Sequence, residues 1–471
     1  MCGFSTTTLA NDVRTAQDLL TKLNYKPGPV DGSFGRKTKR ALENFYANQN
    51  QTFDGELSDN EIKDLEEVIS NKQIKRQVNH KKILFNISFS LNVSSKPPGV
   101  LSKYDTEQLW TAYQTADECF KHPDYGKGKG YRLKLQKEAA FLKTVWRNPF
   151  YPDSPKSGSA SVGAVPPNPL TVVILDESYG ERNSQVENTA KWFRSASNAL
   201  RQGASENTKN LIRRTLTNWA QAGALAHGIN VSWGSKPVDW QVMTLISALV
   251  TTAAAMAPDF SPEDRALIGP WLNGLIKKVS ASHWKDRQDN KAYMTAYITI
   301  VWAFMVSDDK AAQNSVDVIK LAIHDMRPDG SFPIDSQRSG MGLKYSTDSL
   351  GYLVMIAALV QVNTGQDLFS YDANGRSLHD AVNFIVKAIK NPSEINKIYA
   401  ITCPEGGDRW GSITKPSLSF INAASFLVVY ATLNSKSPNT RFIKIKYGNG
   451  ISVPSEVFVT APAMLVGALS E

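Results

Sequence analysis

From Asn188 onward the apolar residues come in two kinds of run. Four segments are apolar around the whole helical circumference, Val242 to Ala257, Ala292 to Val306, Leu350 to Val362 and Ser419 to Leu433, and a helix with no polar face belongs in a core. Between them, Ser261 to Ser280, Lys310 to Met326 and Leu378 to Lys390 carry an apolar stripe opposite a charged face, which suits an outer layer. Buried and amphipathic helices alternating at intervals of roughly 50 to 70 residues predict a mainly α fold of stacked helical hairpins, an α/α toroid closed as an incomplete barrel. The pattern excludes a parallel α/β sheet and leaves an irregular helical bundle open.

The first seventy residues are patterned separately. Helical periodicity runs over Asn11 to Leu23, Arg36 to Asn48 and Ser58 to Ile69, and Lys26 to Gly35 is dense in turn residues. Asp31 and Gly32 are expected to form a turn, Gly35 to allow tight backbone geometry, and Phe34 and Phe45 to seal a small core. Ile83 to Val93 alternates like a strand, as does Phe442 to Tyr447, so the two are expected to pair in a small sheet, a minor β element. Tyr151 to Pro169, rich in Pro, Ser and Gly, reads as a mobile loop that could cover a cleft. The predicted division is residues 1–72, a three-helix domain; 73–100, linker and strand; and 101–471, the toroid.

Composition narrows the function classes. The 471 residues, 42% hydrophobic and 21% charged, suffice for two or three globular domains. No apolar run has the uninterrupted length expected of a membrane span. Lys and Arg number 53 against 44 Asp and Glu, a net charge of +9. This excess favours an anionic partner and fits equally a basic surface kept for solubility. Cys2, Cys119 and Cys403 make no CxxC pair and no zinc spacing, so neither a metal nor a cofactor is expected. Phosphate-binding, dinucleotide, metalloprotease and nucleophile-elbow signatures are missing, as are nucleic-acid modules. No nucleic-acid partner is expected. Cys2, followed by Gly3 and a Ser/Thr run, is how a lipoprotein begins once its leader is removed. No basic or apolar leader precedes it, which leaves a trimmed exported chain or a cytosolic protein open.

Two polar stretches run directly into buried helices, Trp284 to Tyr293 and Asp329 to Tyr345. In a toroid they converge on the central cleft; as helix caps and turns they would look the same. Resemblance adds to this. Gln17, Leu20, Leu23, Tyr25, Gly28, Val30-Asp31-Gly32, Phe34-Gly35, Thr38, Ala41 and Phe45 resemble the peptidoglycan-binding domain type 1 over about residues 9–70. That implies a peptidoglycan partner, with a docking module that has lost such binding as the alternative. Asp289-Asn-Lys-Ala-Tyr293, Arg327-Pro-Asp-Gly-Ser-Phe-Pro333, the pair Arg338 and Tyr345, and Leu350-Gly-Tyr-Leu-Val-Met355 resemble the alginate lyase family of the mannuronate-lyase type, itself an α/α toroid. The resemblance implies that Asn290 neutralises a uronate carboxylate, Arg338 is its charged partner and Tyr345 transfers the proton. Lys291 stands where the family has its catalytic His, and Asp289 where it has its first Asn.

Such lyases remove the C5 proton beside a carboxylate and expel the 4-linked oxygen, so fixed donors aimed at the developing enolate lower the barrier. A tyrosine, with an intrinsic pKa of about 10, needs nearby cations to act as a base near neutrality; Arg338, Lys344 and Lys291 are candidates. In mannuronate and glucuronate the proton and leaving oxygen share a face, so one Tyr can serve both and a His base is dispensable, while guluronate links should be cleaved poorly. A protonated Lys291 suits carboxylate binding better than base duty, with His227 and His283 as reserve bases. Candidate substrate-binding residues are Tyr293, Lys344, Lys236, Trp240 and His227, with Trp233 beside them; Trp240 and Tyr293 read equally as core. The resulting expectation is a periplasmic or secreted lyase, lipid-anchored at Cys2, acting on a β-1,4-linked polyuronate, polymannuronate or glucuronan, by syn β-elimination. The alternatives are a non-catalytic polyuronate- or cell-wall-binding protein on a retired lyase fold, and a peptidoglycan-active enzyme, for which no acidic pair is evident.

Overall fold

In a computed structural model of the chain, the residues described are 6–23, 25–49, 51–66, 68, 89–94, 146–150, 161–162, 165–171, 173–175, 184–226, 229–231, 240–281, 288–336, 342–391 and 424–447. They fall in two compact units, Met1–Asn86 and Ile87–Glu471.

In the first unit, α1 (Thr6–Lys22), α2 (Arg36–Ala47) and a helical segment over residues 59–66 (α3) enclose Leu20, Leu42, Phe45 and Leu65. Phe45 meets Tyr25 and Tyr46 edge-on at 5.7 and 5.1 Å, a favourable geometry for ring quadrupoles. The buried Gln17 organises the loop before α2: its Nε2 donates to Asp31 Oδ1, Ser33 O and Thr38 Oγ1 at 3.1–3.2 Å, and its Oε1 accepts from Gly32 N at 3.0 Å. Two expectations are corrected here. Phe34 is 36% exposed and seals nothing. Gly35 has an extended backbone and open space where a Cβ would stand, so the left-handed positions are instead Gly28 (φ 94°) and Gly32 (φ 79°).

The second unit is a succession of helical hairpins. Its helices are α4 (Ser184–Arg201), α5 (Glu206–Gln221), α6 (Trp240–Met256), α7 (Pro262–Ala281), α8 (Asn290–Val306), α9 (Asp309–His324), the single turn α10 (Pro333–Ser336), α11 (Gly342–Thr364), α12 (Leu378–Lys390), α13 (Leu427–Leu433) and α14 (Thr440–Tyr447). Neighbours along the inner row are α4, α6, α8, α11 and α13, while α5 packs on α7, α9 on α8 and α11, α12 on α11, and α14 on α13. This is the inner and outer layering of an α/α toroid. The all-apolar segments are the inner helices: every residue of α8 from Ala292 to Val306 is buried. Among the described residues two helices, Gln241–Asp259 and Gly342–Thr364, are long and apolar enough by length and composition to cross a bilayer. Both lie 89% buried among the other helices as core elements.

The β expectations need revision. Phe442 to Tyr447 is helical, within α14. Residues 89–94 form no strand but lie across α9: Asn92 N donates to Gln313 Oε1 at 2.8 Å, Gln366 Nε2 to Leu91 O at 3.0 Å and the buried Lys320 Nζ to Asn92 O, while Phe89 meets Phe304 at 4.6 Å. The earlier part of that expected strand, Ile83 to Ser88, lies outside the described residues. A parallel pair does exist elsewhere, β1 (Val173–Leu175) with β2 (Ile229–Val231), Val173 opposite Ile229. The first part of the loop expected to cover a cleft, 151–160, also lies outside the described residues; at its end Pro167 O accepts from Trp219 Nε1 at 3.0 Å.

Two substitutions test these assignments by urea denaturation of the full chain. Gln17→Ala removes the shared partner of Asp31, Gly32, Ser33 and Thr38 and is expected to lower the stability of the first unit by about 1–3 kcal/mol. In the second, Gly330 (φ 88°) lies so close to α12 that a Cβ would stand 2.3 Å from Asp380 O; Gly330→Ala is expected to destabilise by more than about 1 kcal/mol. An unchanged midpoint for either would contradict the packing described.

Candidate functional site

Polar chemistry in the second unit gathers where α8 and α11 begin. Helix α8 starts because Asp289 caps it: Oδ1 accepts from Lys291 N at 3.1 Å and Ala292 N at 3.4 Å. Asp and Asn are comparable N-caps, so Asp289 preserves this turn where the resemblance has Asn. The next residue, Asn290, donates its backbone N–H to Asp335 Oδ1 at 3.4 Å, and the other oxygen of Asp335 accepts from Ser349 Oγ. One fully buried carboxylate thereby joins the first turn of α8, the turn α10 and the second turn of α11.

The loop supplying Asp335 is folded around another buried charge. Arg327 is wholly enclosed; its guanidinium donates to Ser336 Oγ at 2.6 Å and to Ser331 Oγ and Pro333 O at 3.5 Å, and its backbone N–H to Ser331 O at 3.0 Å. Asp329 Oδ1 accepts from Ser331 N at 2.9 Å, closing the turn that Gly330 makes possible.

On α11, Lys344 and Tyr345 occupy the first turn and are partly exposed. Lys344 Nζ lies 2.9 Å from Asp348 Oδ2 and 4.9 Å from the centre of the Tyr345 ring. Burial raises the Asp348 carboxyl above its ordinary value, while Lys344 and, across from α8, Lys291 pull it down. Tyr352, one turn further along, is raised well above the phenol range by burial and then by Asp348, with Arg194 of α4 opposing. Tyr297 of α8 completes this polar stripe: its ring is 6.0 Å from Tyr352 and its hydroxyl 3.3 Å from Thr251 Oγ1 of α6.

Of the residues singled out from the sequence, Asn290, Lys291, Lys344 and Tyr345 therefore belong to the adjoining ends of two neighbouring inner helices. Tyr293 is corrected: it is 2% exposed, its ring packs on Phe332 at 6.0 Å, and burial followed by the Asp335, Asp325 and Asp289 charges pushes its hydroxyl well up. A ring so enclosed has no face for a sugar and serves as core. Arg338, Lys236 and His227 lie outside the described residues, as do Trp233, His283 and the side chain of Trp240, which opens α6. Sequence reasoning missed Asp335 and Asp348. The first sat inside a quoted loop as one polar residue among many; the second had a signal, an acid four residues after a lysine just ahead of an apolar run.

Known proteins are similar to both units of the chain. Residues 180–395 match the model of the alginate lyase family and residues 10–63 that of a peptidoglycan binding domain. A polysaccharide lyase of Stenotrophomonas maltophilia (strain K279a) is 24% identical over 182 residues, 38% of this chain; the chain spans about half, 54%, of that relative's length. Among solved structures, alginate lyase A1-III from Sphingomonas species A1 is similar at 20% identity and TM-score 0.44, over 72% of this chain and 89% of that one. An alginate lyase from Bacteroides ovatus is similar at 15% identity and TM-score 0.45, over 76% and 98%. Residues 180–395 are thus similar to the alginate lyase family, and residues 10–63 to a peptidoglycan binding domain.

Proposed function

We propose that the protein is a polysaccharide lyase that cleaves a β-1,4-linked polyuronate, polymannuronate or glucuronan, by syn β-elimination. The observation that carries this reading is the placement of Asn290 and Lys291 in the first turn of α8 and of Lys344 and Tyr345 in the first turn of α11, two helices that Asp335 links by bonding Asn290 N and Ser349 Oγ and whose Lys291 and Lys344 both act on Asp348. Lys291 and Lys344 supply positive charge in that region, on the first turns of two neighbouring inner helices. A uronate carboxylate bound there has donors where charge grows as the enolate forms.

Tyr345 then takes the C5 proton, the C5–H electrons form the C4–C5 double bond, and the C4–O bond breaks. The same proton passes from Tyr345 to the departing oxygen. Because one group serves both steps on one face of the ring, Lys291 can remain a protonated carboxylate ligand where the family has a His. The first unit is proposed to hold the enzyme on peptidoglycan, and the chain to work in the periplasm or outside the cell, lipid-anchored at Cys2.

The test is the ultraviolet absorbance of unsaturated uronate ends, followed with polymannuronate, polyguluronate and glucuronan in parallel. Absorbance is expected to rise on polymannuronate or glucuronan, much more slowly on polyguluronate, and to fall at least about a hundredfold in Tyr345→Phe, as removal of a general acid–base group does. Equal rates on polyguluronate would overturn the syn geometry. Binding of polyuronate by both forms without product from either would favour the non-catalytic reading.

A further inference from the structure

An inner helix has little use for an ion pair. From Gly342 to Asn363, α11 is buried at nearly every position, yet it carries Lys344 and Asp348, and the Asp side chain is 7% exposed. The pair is also in the weaker order, since an acid preceding a base by four residues is the arrangement that supports a helix. Removing a carboxylate from water costs more than such a pair returns, so an apolar residue at 348 would suit the fold better. The pair is explained by what the lysine touches: Lys344 Nζ stands over the ring of Tyr345, within the 6 Å at which a cation interacts with an aromatic face.

We infer that Asp348 is a positioning residue, whose carboxylate holds the Lys344 ammonium over Tyr345 and so sets the pH range in which Tyr345 exchanges its proton. The inference rests on the lyase reading for its purpose, though the contact itself does not. A cation at that distance favours the phenolate, and a lysine free to swing into water does not. Other charged or titratable groups facing this cluster are Lys291 and Tyr297 on α8, Asp335 on α10, Arg194 on α4 and Tyr352 on α11 itself. Arg338, four residues before α11, lies outside the described residues. Lys291 acts on Asp348 through its charge, from α8, while the ion pair itself is made by Lys344.

Stability separates this role from a structural one. With its carboxyl held above the ordinary 3.8 by burial, Asp348 binds its proton more tightly in the folded than in the unfolded chain. Stability is therefore lost as pH rises from about that value through the raised one. Asp348→Asn removes that loss and is expected to be at least as stable as wild type at pH 7 in thermal unfolding.

The deciding experiment is a titration of the full chain labelled with tyrosine enriched at the ring carbon bearing the hydroxyl. The Tyr345 resonance is assigned from its disappearance in Tyr345→Phe, and the wild type is compared with Lys344→Met, Asp348→Asn and the double variant. Each single variant is expected to move the Tyr345 titration upward by about one pH unit, the lower end of the effect of one nearby charge, and the double variant no further than Lys344→Met alone. In Asp348→Asn, which keeps the Lys344 cation, the ascending limb of kcat against pH is expected to move with it, KM changing less than about twofold, as for an interaction made in the transition state. A Tyr345 titration that stays in place or moves down in Asp348→Asn, or shifts that add in the double variant, would overturn the inference. A wild type that releases no unsaturated product at any pH would overturn the lyase reading instead, and the resonance titration would still decide the role of Asp348.

Discussion

A helix apolar nearly all the way round carries its charged groups near its ends, and three of the inner helices, α6, α8 and α11, are of this kind. The first turn of α8 leaves backbone N–H groups that must find acceptors inside the protein, and the acceptors supplied are carboxylates: Asp289 within the helix cap and Asp335 from the turn ahead of α11. Buried carboxylates in turn require cations and donors around them. Lys291, Lys344 and the serine-bound Arg327 stand in the same region. The chemistry at this end of the hairpins thus follows from the demand of the inner helices for satisfied termini.

This explains which parts of the protein were legible from sequence. The inner helices were readable because burial on all sides leaves no polar face, and the predicted Ala292 to Val306 coincides with the buried stretch of α8. The two edge segments mislead for one reason: alternation of apolar and polar residues is shared by a strand and by a short chain pressed on a helix. Phe89, Leu91 and Val93 are all buried, every second residue, but against α9 and Phe304. Phe442 to Tyr447 alternates through only six residues, too few to separate period 2 from one and a half helical turns.

Within the candidate site, legibility followed position along the chain. Asn290, Lys291, Lys344 and Tyr345 lie at boundaries between polar and apolar sequence, where a change of pattern draws attention to them. Tyr352 lies inside an apolar run, and Asp335 and Asp348 inside polar ones, so none of them contrasts with its surroundings in the way a boundary residue does. Phe34 shows the converse error. An aromatic residue in a turn-rich loop reads as core, whereas Gln17 holds that loop by hydrogen bonds and leaves the ring at the surface.

The segment lying across α9 also has a bearing on how the chain acquires its shape during synthesis. Asn92 waits for Lys320, 228 residues later, and Leu91 for Gln366, 275 residues later; Arg147, whose Nε donates to Phe304 O at 2.7 Å, waits 157. At about 5–20 residues per second, the ribosome needs roughly 14–55 s to deliver the last of these partners. Through that interval Phe89, Leu91 and Val93 have no surface to cover them, and non-local contacts of this separation form slowly even in a finished chain. In the second unit an early-made stretch of chain consequently docks late, and its three apolar side chains stay uncovered until the helices that receive them have been made.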